Sequence, residues 1–199
     1  MSGGAERDIG GPAPWIFPSE TQCLECHTTA AGRTLGLETA QLNGAHFYPA
    51  SGRTANQLAT LSHVGMLSPP LPDPEAQPEL PDPFDTNAPL AARARAYLHT
   101  NCSFCHRPGG PTPSTLDLRY STPMAQTNAC NAAPQSGDIG LGANARLITP
   151  ADAASSVLLA RINRRDQYQM PPLGSHRIDV AGVALIAEWI DSMGPSCEL

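Results

Sequence analysis

The chain has 199 residues, a net charge of -6 and a sequence pI of about 5.4. It has no Lys/Arg run of the kind that binds nucleic acid or an anionic membrane. No stretch approaches the roughly 18 apolar residues of a transmembrane helix. Hydrophobic residues are 41% of the chain but aromatics only 5%, so large apolar side chains are scarce. Its 21 Pro and 17 Gly are well above average usage, and much of the backbone is expected to be loop.

Residues 1–14 are Gly/Pro-rich and read as loose. No signal peptide is visible, and a longer native N-terminus is expected. A first unit is expected over 15–67, around Cys23-Leu24-Glu25-Cys26-His27. Short helices are predicted at Thr39 to Leu42 and at Asn56 to Val64, the latter from Leu58, Leu61 and Val64 at helical spacing. Residues 68–89 hold eight prolines. Each fixes φ and removes a donor, so an extended, stiff connector is expected, able to pack along the surface.

The second unit is expected over 90–199. Ala91 to Thr100 is a run of good helix formers leading into Cys102-Ser103-Phe104-Cys105-His106. Residues 107–150 read as loop. A helix is predicted from Ser155 to Arg164, with Asp152 as a possible cap. The clearest helix is Val180 to Met193, with Asp179 as N-cap and Gly194-Pro195 as its stop. Tyr97 and Trp189 are expected to help join the helices and wall a cofactor. No strand is predicted. The expected fold is mainly α: two small units with long loops, joined by the Pro-rich connector.

The two CxxCH motifs carry the chemistry. Cysteines at i and i+3 lie on one side of a helical turn. Their sulfurs can bond the two vinyl groups of one haem, and the histidine that follows presents a ring nitrogen to the iron. Two other readings exist, a four-cysteine zinc site and a redox dithiol. Neither needs a fifth-position His. With 6 His in 199 residues, chance placement after both pairs is roughly one in a thousand. The separation of the pairs also exceeds zinc-ribbon spacing. Two covalently attached haem c groups are therefore expected on Cys23, Cys26, Cys102 and Cys105, with His27 and His106 as iron ligands.

Each iron then has a sixth position. For the second haem the candidate is Met170, in Gln169-Met170-Pro171-Pro172-Leu173, 64 residues after His106. For the first haem Met66 is favoured, at an element end with Pro69 and Pro70 close behind. His63 is the main alternative; His46 and an open site are also possible, and His99 and Met124 are weaker candidates. Arg161, Arg164 and Arg165 are candidates to pair with haem propionates. Cys130 and Cys197 are left over after haem attachment. A disulfide between them is expected, since haem c is attached outside the cytoplasm, where disulfides persist.

The order of helix, CxxCH, Met loop and last helix resembles class I cytochromes c. Several runs look like the di-haem C-terminal region of a family of bacterial exported proteins. They include Trp15-Ile16-Phe17-Pro18-Ser19, Leu35-Gly36-Leu37-Glu38-Thr39, Ala94-Arg95-Ala96-Tyr97-Leu98, Gln135-Ser136-Gly137-Asp138, Met170-Pro171-Pro172-Leu173 and Trp189-Ile190. Some members resemble fusions with a PQQ sugar-dehydrogenase-like propeller. The resemblance implies a periplasmic or extracellular electron carrier, not an enzyme. Its partners would be redox proteins, such as a PQQ-dependent dehydrogenase or another extracellular oxidoreductase. A di-haem peroxidase or a haem sensor, each needing one open coordination site, is the alternative.

Overall fold

The structure, a computed structural model, describes residues 2–197. Two compact units are present. One runs to Leu35 and resumes at Pro83; the other is Gly36–Asp82. The sequence reading draws its boundaries at 67/68 and 89/90, whereas the units divide at 35/36 and 82/83. Both CxxCH motifs consequently belong to one unit.

In that unit, β1 (Ala5–Arg7) pairs antiparallel with β2 (Trp15–Phe17), Glu6 opposite Ile16. Ser19 then caps α1 (Glu20–Cys26) in a capping box with Gln22, which places the first CxxC on a helix. The remaining helices are α4 (Leu90–Cys102), α5 (Val157–Ile162) and α6 (Val180–Asp191).

Helices α4 and α6 build the core. Ala94, Tyr97 and Leu98 of α4 pack with Leu185, Ile186, Trp189 and Ile190 of α6. The helices approach closely because residue 182 is Gly: a Cβ there would overlap the Tyr97 ring. Asp179 caps α6, its Oδ1 accepting from Gly182 N at 3.0 Å. At α5 the cap differs from the expectation. Asp152 accepts from Ser155 N at 3.0 Å in the preceding turn, and the helix starts only at Val157. Cys130 and Cys197 are joined, S–S 2.02 Å, which ties the loop after α4 to the chain end.

The other unit holds α2 (Thr39–Leu42), the hairpin β3 (Ala45–Tyr48) and β4 (Arg53–Asn56), and α3 (Gln57–His63). Its apolar centre is small, with Leu58 and Leu42 buried. Polar bonds supplement it. Asn56 Oδ1 caps α3 through Ala59 N, and Asn56 Nδ2 donates to buried Asn43 at 2.6 Å. Asn43 in turn donates to the Gln77 carbonyl, and Leu80 N donates to Ala40 O. The Pro-rich segment therefore packs against α2 as far as Leu80, with one 3-10 turn at Pro74–Ala76.

The mainly α expectation is corrected. Helices take 28% of the chain and strands 9%, in two small sheets, giving a mixed fold low in regular structure. Pro and Gly interrupt backbone ladders too often for long elements. Strands of three or four residues are too short to show a period-2 pattern against that background.

Candidate haem sites

The second motif opens onto a cavity in the unit that contains α4 and α6. Its volume is about 110 Å³. Cys102, His106 and Met170 all line it. So do Leu98, Leu116, Leu118, Leu147, Val157, Leu158 and Ile162, an apolar wall with few polar groups.

Local structure explains the assembly. Cys102 ends α4, and the chain turns so that His106 N donates to Cys102 O at 2.9 Å. Gly110 closes the turn on the Arg107 carbonyl, and a Cβ at Gly110 would strike the Cys105 carbonyl. Leu118 N donates to His106 O at 2.9 Å, holding one wall against the motif. Met170 N donates to Arg161 O at 2.9 Å.

The electrostatics suit a neutral imidazole and neutral thiols. Burial, then the Arg161 charge, lowers the His106 pKa. A metal-ligating His must be neutral. Its Nδ1 is buried and has no hydrogen-bond partner among the described residues, an orphaned polar atom on the cavity wall. Burial pushes the Cys102 thiol up to about 12, and burial with neighbouring Cys26 does the same to Cys105. A reactive redox dithiol shows the opposite, a lowered pKa.

Of the three arginines, Arg161 alone lines the cavity. It donates to Tyr168 O, and its pKa is lowered by burial and by Arg164. Such a cation gains from an anion brought into the cavity. Arg164 instead meets Asp166 and lies over the Tyr168 ring, and Arg165 donates to backbone carbonyls. Tyr97 and Trp189 join the two helices in the core, as expected, and neither is among the residues lining this cavity. The wall comes instead from Leu116, Leu118, Leu147, Val157 and Leu158. Those positions are scattered through loop and α5, and no sequence period marks them.

The first motif sits on α1, none of whose residues is buried. Cys23 is exposed; Cys26 and His27 are partly so. His27 Nδ1 lies 2.8 Å from Arg33 O. A carbonyl only accepts, so Nδ1 carries the hydrogen, which leaves Nε2 as the nitrogen that would meet a metal. Such a backbone partner is what orients a metal-ligating His. Arg33 as this partner has no sequence signal beyond its proximity.

His46, His63 and Met66 all belong to the Gly36–Asp82 unit and all are exposed, Met66 at 71%. His99 and Met124 are engaged elsewhere. His99 Nδ1 accepts from Tyr120 N, and the Met124 sulfur lies 3.9 Å from both Arg95 Nη1 and Thr127 Oγ1.

Among the described residues no group of three or more His, Cys, Asp or Glu side chains is placed to hold a metal ion. A haem asks less of the chain, because the porphyrin supplies four of the iron's ligands. At the second motif Cys102 and His106 share one apolar cavity with Met170, and at the first Cys23 is exposed on a helix with no buried residue. Comparison with family models, curated proteins and solved structures finds no match for this chain. The resemblances drawn from the sequence therefore rest on their motif residues alone.

Proposed function

We propose that this chain is a di-haem c-type cytochrome that relays electrons between redox partners outside the cytoplasm. The observation that carries the reading is the convergence of Cys102, His106 and Met170 on one apolar cavity. Haem bound there supplies a one-electron iron couple. The chain's residues do the rest. Cys102 and Cys105 would hold the group through thioethers, each formed by adding one S–H across one vinyl group with no net oxidation. His106 and the Met170 thioether would be the chain's two ligands to that iron, a pair that raises the potential. The leucine and valine wall excludes water. Arg161 offsets propionate charge. Cys23, Cys26 and His27 serve the first haem in the same way.

The test is mass and extraction. Protein matured in a periplasm able to attach haem c should have the mass of the polypeptide plus two haem c groups. Acid-acetone should extract neither. Extractable haem, or zinc in its place, ends the reading. The disulfide joining Cys130 and Cys197 supports an oxidising compartment. PQQ-dependent dehydrogenases are the partner class that the sequence resemblance suggests.

One observation favours a second reading, a peroxidase-like enzyme or a haem sensor. The three leading sixth-ligand candidates for the first haem, Met66, His63 and His46, are all exposed on the Gly36–Asp82 unit. A carbon monoxide difference spectrum of the reduced protein separates the two. Two six-coordinate haems leave it unchanged, and an open site shifts one Soret band.

A further inference from the structure

Met170 lies in a segment, 166–177, that contains no helix or strand. Pro171 and Pro172 have no N–H to give, so side chains do much of the anchoring. Arg161 Nη1 donates to Tyr168 O at 3.3 Å and holds the near end to α5. Gln169 Nε2 donates to Pro171 O at 3.0 Å and to Ser175 O at 3.5 Å, folding the loop on itself. Arg165 Nη2 donates to Arg177 O at the far end.

The remaining tie comes from the other end of the chain. His176 Nε2 lies 3.1 Å from Glu6 Oε1, across 170 residues of sequence. An ionised carboxylate only accepts, so Nε2 carries the hydrogen. Glu6 is on a fixed support. It is the middle residue of β1, with its backbone opposite Ile16 of β2. The base of that hairpin packs on the start of α1: a Cβ on Gly4 would meet Phe17 O and Ser19 N, each at 3.0 Å. Hairpin, α1 and loop all belong to the same compact unit. An exposed pair of this kind adds little to global stability. Its effect is on local opening, which costs least where a loop has few other ties.

We infer that Glu6 and His176 are positioning residues, a clasp that holds the Met170 loop to the N-terminal hairpin and so keeps Met170 at its cavity. The consequence at the iron rests on the di-haem reading; the clasp itself is a property of the polypeptide.

Amide exchange on the full chain tests the clasp. Glu6→Ala should speed exchange in the 166–177 loop by about two- to five-fold, the range for losing one exposed ion pair. His176→Ala should speed exchange in the β1–β2 hairpin by a similar factor. His176→Gln keeps a side-chain donor and should stay near the parent in both. Parent rates in loop and hairpin for both alanine variants overturn the clasp. The positioning role is read from the rate at which added cyanide abolishes the thioether–iron band of the oxidised protein. Loop opening admits the cyanide, so Glu6→Ala should raise that rate by the same factor. A raised loop exchange with an unchanged cyanide rate overturns the positioning role. A parent protein whose mass includes no haem overturns the di-haem reading and the positioning role together, while the exchange rates still decide the clasp.

Discussion

The Tyr97 hydroxyl donates to Asp179 Oδ2 at 3.0 Å, while the other oxygen of that carboxylate caps the last helix at Gly182. One carboxylate thus joins the helix that enters the second motif to the helix that ends the chain. Burial, then the Asp179 charge, raises the Tyr97 pKa. A raised tyrosine holds its proton more tightly when folded. Its contribution is complete below the ordinary tyrosine value of about 10 and is lost as pH rises beyond it. Tyr97→Phe should cost about 1–2 kcal/mol near neutral pH. It should also flatten the alkaline fall in stability above pH about 10. Denaturant melts of both proteins at neutral and alkaline pH check this, and identical alkaline slopes would remove the linkage.

Asp117 governs the acid side. It takes bonds from Arg119 Nε, Nη2 and backbone N, and from the Thr122 hydroxyl. Arg119 holds its pKa down at about 2. The carboxylate's contribution is present above its unfolded value of about 4 and is lost as pH falls through about 2. Asp117→Asn should leave a shallower acid transition between those limits. Because Leu118 N holds His106 O, a haem carried at the second motif as proposed should report the same loss in its Soret band.

Met170→Ala should disturb one haem and spare the other. The oxidised protein should lose a thioether–iron band, and one of two midpoint potentials should fall. A spectrum identical to the parent removes Met170 from the ligand set.

The sixth ligand of the first haem divides Met66 from His63. Met66→Ala should alter one ferric signal, and His63→Ala should alter neither. The reverse pattern makes that haem bis-histidine and lowers its potential, setting a direction for transfer between the two.

Replacing Cys130 and Cys197 together by Ser should lower stability by about 2–5 kcal/mol, the usual cost of losing a native disulfide. Amide exchange should rise first around Asn131 and Ile148, whose backbones pair beside the bridge. Uniform exchange across the whole chain would place the effect elsewhere.

The sequence by itself determined what depends on near neighbours. The spacing of Cys23, Cys26 and His27 is a property of one helical turn. The Asp179 cap answers to donors three residues on. The α4 and α6 helices are legible because good formers and apolar residues run through a dozen positions. Ser19 and Gln22 also announce α1, a signal readable from the S-x-x-Q pattern. Three- and four-residue strands are not legible, because pairing across a hairpin stabilises them and their own composition does not. Only the tertiary structure decided which loops wall the cavity, that Arg161 lines it while Arg164 and Arg165 do not, and that Arg107 meets Ala30. Those contacts join positions tens of residues apart. Their energy comes from burying shared apolar surface, which no local pattern encodes.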